Sequence, residues 1–222
     1  MPLRAMFFDF DGLIIDTETP EVEIWQEIFV EHGLVFPDEV WIHSIGRGAD
    51  EILEQPIDVL LRMSSDSIDV AQVQDDYRQR VTFRILEKPV RPGVVRLATE
   101  ARAAGLPVCV VSSSRHAWVD THLPRLGIAG LFDRTVCRDD AARAKPHPDL
   151  YELACSLCGV LPSEASTFED SPNGVTAANA AGVFSIAVPN GLTGRLDLSH
   201  ARRRLASIDE VSLAQIERWI DG

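Results

Sequence analysis

From Arg91 onward the sequence alternates between short β-branched runs and amphipathic stretches, and this restricts the fold more than any other feature. "RPGVVRLATEARAAG" reads as a helix stopped at Gly105. "LPVCVVSSS" reads as a strand running into serines, and His116–Leu126 as a helix stopped at Gly127. Further strands are predicted at Arg134–Cys137, Ser166–Glu169 and Phe184–Val188. Further helices are predicted at Pro148–Cys158, Asn173–Ala181 and Ser212–Ile220. Strand then helix, repeated, specifies a parallel sheet with helices on its faces, because parallel neighbours need a long crossover.

Leu3–Phe10 has the character of a buried strand of that sheet, yet a block without strand signals separates it from the rest. In this block a helix is expected from a Thr19 cap to Gly33, with Val22, Trp25, Ile28 and Phe29 on one face. Others are expected at Asp38–Ile42, at Ala49–Met63 with a break at Gln55-Pro56, and at Asp69–Glu87. The expected organisation is an α/β core of residues 1–15 and 91–222 and a helical insertion of residues 16–90. The crossings at Ile15-Asp16 and "EKPVRPG" would be hinges.

Composition narrows the function. The net charge of −13 argues against nucleic-acid binding, since a phosphate backbone needs a basic surface. A small anionic substrate needs only a local positive site, which a metal ion can supply. No window approaches the ~20 apolar residues of a membrane span, and Asp9 and Asp11 interrupt the N-terminal apolar run. The expectation is a cytoplasmic protein with no membrane or nucleic-acid partner, and nothing demands an oligomer. Of Cys109, Cys137, Cys155 and Cys158, the last two share a helix face and read as core packing. Arg202–Arg204 read as a solvated helix face, and His116 as a helix-surface histidine.

In open α/β sheets ligands bind outside the carboxyl ends of the strands. The polar residues that follow the expected strands are Asp9 and Asp11, Ser112 to Ser114, and Glu169 with Asp170; Lys145 joins them from a loop. Residues i and i+2 of a strand share a face, so Asp9 and Asp11 are expected to converge, with Gly12 allowing a sharp turn behind them. An all-oxygen acidic set suits Mg²⁺ rather than zinc. Hydroxyls, backbone N–H groups and an ammonium suit phosphate oxygens. Carboxylate, magnesium, hydroxyl and lysine together describe phosphoryl transfer.

In this order the segments "FFDFDG", "VCVVSSS", "AKPHPDLY" and "FEDSPNGVTAANAAG" resemble the four motifs of the haloacid dehalogenase (HAD) superfamily. The branch they resemble is the one that holds β-phosphoglucomutase and sugar-phosphate phosphatases. The resemblance implies a Rossmann-like parallel-sheet core with an inserted all-helical cap domain. It implies that Asp9 is the nucleophile, giving an aspartyl phosphate, and that Asp11 is the general acid and base. It gives Mg²⁺ the Asp9 carboxylate, the Asp11 carbonyl and the Asp170 carboxylate, with Glu169 joining directly or through water. Ser112, the Ser113 amide and Lys145 would hold the phosphoryl group, and Asn173 either caps its helix or supports the phosphate site.

"HSIGRGADEIL" resembles the family's substrate-facing cap loop, which makes Arg47 and His43, with Trp41 beside them, candidates for the substrate pocket. The function implied is a phosphatase for a small phosphorylated metabolite, a sugar phosphate. Rivals are phosphoglycolate hydrolysis and β-phosphoglucomutase activity; the mutase's early cap histidine is missing from "DTETPEVE". A non-enzymatic receiver domain phosphorylated on aspartate is the rival from another class.

Overall fold

The computed structural model describes residues 2–37, 40 and 54–222. The chain divides into two compact units, Met1–Ile15 with Pro89–Gly222, and Asp16–Lys88. The second crossing thus lies at Lys88-Pro89, two residues before the expected boundary.

The larger unit is built on six parallel strands: β1 (Ala5–Phe8), β2 (Val108–Val111), β3 (Arg134–Val136), β4 (Ala165–Glu169), β5 (Phe184–Ala187) and β6 (Arg203–Arg204). Their spatial order is β3-β2-β1-β4-β5-β6. Every residue of β1, β2 and β4 is buried. This explains why these runs are continuously apolar rather than alternating, because helices cover both faces of the sheet. Successive residues point to opposite faces. Phe7 lies near Tyr151 on one side, with ring centroids 6.3 Å apart. Phe8 stacks on Phe168 at 5.2 Å and meets Phe132 edge-on at 6.0 Å.

This unit's helices, labelled in chain order after those described in the smaller unit, are α4 (Val94–Ala103), α5 (His116–Arg125), α6 (Asp149–Cys158), α7 (Pro172–Ala181) and α8 (Leu213–Asp221). One expectation is overturned. Arg203 and Arg204 form the exposed edge strand β6 rather than a helix face. Two residues are too short a run to show any period, and the pairing Ile186↔Arg203 is visible only in three dimensions. The Arg203 guanidinium lies 5.4 Å from the centre of the Trp219 ring.

The named elements among the smaller unit's described residues are all helices: α1 (Glu18–Glu31), α2 (Pro56–Met63) and α3 (Val70–Glu87). Helix α1 begins before Thr19, so Thr19 is not the cap. Its backbone N–H instead donates to Asp16 Oδ1 at 3.0 Å, because the helix starts at Glu18, two residues before the Pro20 that a Thr19 cap would place first. Pro56 opens α2, and Asp69 caps α3 by accepting from the Gln72 N–H at 3.1 Å. The ring of Trp25 on α1 stacks on Tyr77 of α3 at 4.6 Å. Arg80 joins these helices electrostatically, contacting Glu27, Glu31 at 2.9 Å and, on its own helix, Asp76 at 2.9 Å. Apart from Val40, the helix expected at Asp38–Ile42 lies outside the described residues, as do the first part of the one expected at Ala49–Met63 and Trp41, His43 and Arg47.

Candidate active site

Strand order decides where a site can form. From β1 the chain crosses to β2 and then β3 on one side, whereas β4, β5 and β6 lie on the other. The topological switch point is therefore between β1 and β4, and a crevice opens where the crossovers diverge. Asp9 follows β1 directly, and Glu169 ends β4 with Asp170 behind it. Asp9, Glu169 and Asp170 are all buried, and each offers a carboxylate oxygen within 4.8 Å of the other two.

Lys145 reaches this cluster from a loop far away in sequence. Its ammonium donates to Asp9 Oδ1 at 2.6 Å, Glu169 Oε1 at 2.7 Å and the Val111 carbonyl at 2.7 Å. Three donors on one buried lysine meet three acceptors. Burial acts to push Lys145 toward neutrality, but Asp9 and Glu169 overcome it and hold the ammonium well above the ordinary lysine range. The Asp9 carboxyl is pushed well above its usual range by burial, with Glu169 adding to the rise and Lys145 opposing it. The Tyr151 hydroxyl donates to Glu169 Oε1 and lies 3.0 Å from Thr167 Oγ1. Burial keeps that phenol protonated, so it remains a donor.

Asp11 takes a different path from the one strand periodicity implies. β1 ends at Phe8, and the chain turns through Gly12, whose φ is +76°. The Gly12 N–H donates to the Ile15 carbonyl at 2.8 Å and the Ile14 N–H to that of Phe10 at 2.9 Å. The i, i+2 rule therefore lapses, and the two carboxylates do not share partners. Asp11 Oδ2 accepts from the Ser114 hydroxyl at 2.6 Å, and Oδ1 accepts from the Trp118 indole N–H at 2.9 Å. The Asp11 side chain is not part of the acidic cluster.

Glycine matters at two points. A Cβ on Gly12 would lie 2.1 Å from Asp170 Oδ2, in addition to the positive φ. One on Gly174, in the first turn of α7, would lie 1.8 Å from Glu169 Oε2. The Ser171 hydroxyl caps that helix by accepting from the Gly174 N–H at 3.2 Å.

Ser112 is buried, its hydroxyl accepting from the Ser114 N–H at 3.0 Å and its own N–H donating to Val136 at 2.9 Å. The Ser113 hydroxyl is buried and has no hydrogen-bond partner among the described residues. Asn173 sits in the first turn of α7. His116 is half-exposed and bound to Asp120 at 3.1 Å and Asp140 at 2.7 Å, so it stays on the helix surface.

Four further residues complete the constellation. Tyr151 falls inside the "AKPHPDLY" segment but at its last position, and Trp118 lies one helical turn after Ser114, where it reads as an ordinary core aromatic. Asn190 donates to Asp170 Oδ2 at 2.9 Å. It follows β5, so the strand-end rule that gathered the other residues reaches it as well. Arg91 donates to the carbonyls of Gly12, Val188 (3.3 Å) and Pro189 (3.0 Å), clamping the turn after β1 to the loop after β5.

The cluster suits a divalent cation on its own chemistry. Three carboxylates beside one ammonium leave two negative charges in excess when ionised, and every donor is a hard oxygen. Glu169 Oε2 is buried and has no hydrogen-bond partner among the described residues. An acceptor in that position costs free energy unless something electropositive approaches it.

A buried acidic cluster with a lysine at the switch point of a parallel sheet suits an enzyme that handles an anionic group beside a cation. The haloacid dehalogenase-like hydrolase family matches residues 3–182, so the chain belongs to that family. YhcW of Bacillus subtilis, a protein assigned to the phosphatases, is 40% identical over 212 residues, covering 96% of this chain and 95% of its own. Validoxylamine A 7'-phosphate phosphatase of Streptomyces hygroscopicus is 31% identical, covering 93% and 91%. The structure of CbbY from Rhodobacter sphaeroides in complex with xylulose-(1,5)bisphosphate superposes with a TM-score of 0.74 at 27% identity, covering 97% and 99%. Among the described residues no helix is long and apolar enough to cross a membrane.

Proposed function

We propose that this hydrolase is a Mg²⁺-dependent phosphatase of a small phosphate monoester, a sugar phosphate, acting through an aspartyl phosphate on Asp9. The single observation that carries the reading is the sharing of one buried ammonium, that of Lys145, by Asp9 at 2.6 Å and Glu169 at 2.7 Å. A lysine so placed orients the Asp9 carboxylate and leaves positive charge where the anionic phosphoryl oxygens must come. The phosphatase and sugar-bisphosphate relatives support the same chemistry and substrate class.

In this reading Asp9 attacks phosphorus and the ester oxygen leaves with a proton from Asp11. Asp11 then accepts a proton from the water that cleaves the aspartyl phosphate. Ser114 and Trp118 hold the Asp11 carboxyl by both oxygens, so it is oriented before substrate arrives. Ser112, the Ser113 amide and Lys145 grip the phosphoryl group. Mg²⁺, held by Asp9, Asp170, the Asp11 carbonyl and Glu169, would supply charge neutralisation when bound. Tyr151 and Asn190 are positioning residues for Glu169 and Asp170. The helical unit acts as the cap that selects the leaving group, with Arg47 and His43 among its substrate contacts, and Asn173 supports the phosphate side. A cytoplasmic location belongs to the same reading.

The test is hydrolysis of p-nitrophenyl phosphate with Mg²⁺, followed by a screen of sugar phosphates, phosphoglycolate and nucleotides. Asp9→Asn should abolish turnover without unfolding the protein. Turnover surviving in that variant would overturn the mechanism, and stable phosphorylation without turnover would favour a receiver-like module.

A further inference from the structure

The amino ends of β2 and β3 carry a second chemically distinct feature, at the end of the sheet opposite the carboxylates. Cys109 is fully buried in β2, and Cys158 is the partly exposed last residue of α6. Their sulfurs lie 3.3 Å apart although 49 positions separate them in sequence. A cavity of about 390 Å³ reaches this pair and is lined by Arg102, Pro107, Asp133 and Arg134 as well as both cysteines. The C-x-x-C spacing is therefore not the relevant pairing. Cys109 and Cys155 both lie in the buried core cluster that Cys158 packs against, but it is the Cys109 sulfur, on a strand three elements earlier, that Cys158 Sγ meets.

We propose that Cys109 and Cys158 are a modification site, forming a reversible disulfide when hydrogen peroxide enters this cavity. The sulfurs need to approach by only ~1.3 Å to reach the ~2.05 Å of a disulfide. The roles of the two thiols differ. Cys158 is the partly exposed one and Cys109 is fully buried; contact with Cys109 and the positive charge of Arg134 act to lower the Cys158 thiol, against burial and Asp133. Cys109 is pushed up, by the bond to Cys158 and by burial. Burial raises Cys137 and Cys155 to about 12 each, which keeps them unreactive.

The Cys158 thiolate attacks one oxygen of hydrogen peroxide, the O–O bond breaks, and the departing hydroxide takes up the proton that Cys158 released on ionising, giving water and a sulfenic acid. The Cys109 sulfur then attacks the Cys158 sulfur. The S–S bond forms as the S–O bond breaks, and hydroxide leaves as water with the Cys109 proton. Two thiols and one peroxide become one disulfide and two waters.

The experiment treats the full-length protein with hydrogen peroxide under native conditions, then measures intact mass and maps the peptides without reduction. A loss of about 2 Da, reversed by dithiothreitol, with a Cys109–Cys158 cross-linked peptide, is the expected result. Cys158→Ser should abolish the loss, whereas Cys109→Ser should leave a sulfenic acid on Cys158 that dimedone traps. Because serine at 109 disturbs a buried strand, the Cys137→Ser/Cys155→Ser variant is a second control and must still lose the same mass. Four free thiols after treatment, a bridge from Cys158 to Cys155 or any bridge to Cys137 would overturn the proposal.

Discussion

Lys145→Met removes the charge of the buried lysine while keeping its length and most of its volume. In the native protein that ammonium satisfies Asp9, Glu169 and the Val111 carbonyl together, with its side chain only 4% exposed. Its loss leaves two carboxylates buried at short range without their counter-charge. Breaking a buried pair in this way costs about 3–5 kcal/mol, much of it the penalty for the unpaired partner. For a unit of this size each kcal/mol lowers the melting temperature by roughly 2–4 °C, so the expected fall is roughly 6–20 °C. The assay is thermal unfolding by circular dichroism at neutral pH in the presence of a chelator, which removes any metal contribution. Glu169→Gln made in the Lys145→Met background tests the cause, because it removes one of the stranded charges. The double variant should be more stable than the sum of the two single losses predicts, with a coupling of about 0.5–3 kcal/mol. A Lys145→Met loss below about 1 kcal/mol, within the range of an exposed pair, or strict additivity with Glu169→Gln, would refute the reasoning.

Gly174→Ala should cut phosphatase turnover by about a hundredfold, because the new methyl occupies the space of Glu169 Oε2 and displaces that carboxylate from Lys145; wild-type kinetics would show that the contact is relieved elsewhere. Trp118→Phe removes one hydrogen bond to Asp11, worth about 1.5–3 kcal/mol to a charged acceptor, so kcat should fall roughly 10- to 100-fold with KM steady. An unchanged kcat would mean that Ser114 alone orients Asp11. Burial acts to lower the His116 pKa, but the hydrogen bonds and charges of Asp140 and Asp120 carry it above the ordinary value of 6.5. Its ion pairs therefore stabilise the fold fully below that ordinary value and lose their effect as pH rises through the raised one. With a third of the side chain exposed, His116→Asn should cost at most about 1 kcal/mol by urea unfolding at about pH 5.5 and less at alkaline pH; a larger loss at alkaline pH would refute the assignment.

Much of the larger unit was legible in the chain because its signals are local. β-branched runs such as "VCVV", the helix stops at Gly105 and Gly127, and the strand-end positions of Asp9, Ser112 and Glu169 each depend on a few neighbouring residues. The strand-end rule and the four resembling motifs single out Asp9, Lys145, Glu169 and Asp170, which the fold gathers into one cluster. Errors arose where the local signal was weak or misleading: two-residue β6 shows no period, and the Thr19-Pro20 signal lies inside a helix already begun at Glu18.

The chain by itself determined which residues end strands, and therefore which side chains could assemble at one rim of a parallel sheet. Only the tertiary structure decided the pairings: one lysine between Asp9 and Glu169, an indole on Asp11, Tyr151 under Glu169, and Cys158 against Cys109 rather than Cys155. The physical reason is that periodicity and capping are set by neighbours a few residues apart. Which distant side chain fills a given buried position depends instead on strand order, which sets the partners that desolvated charges and thiols can reach.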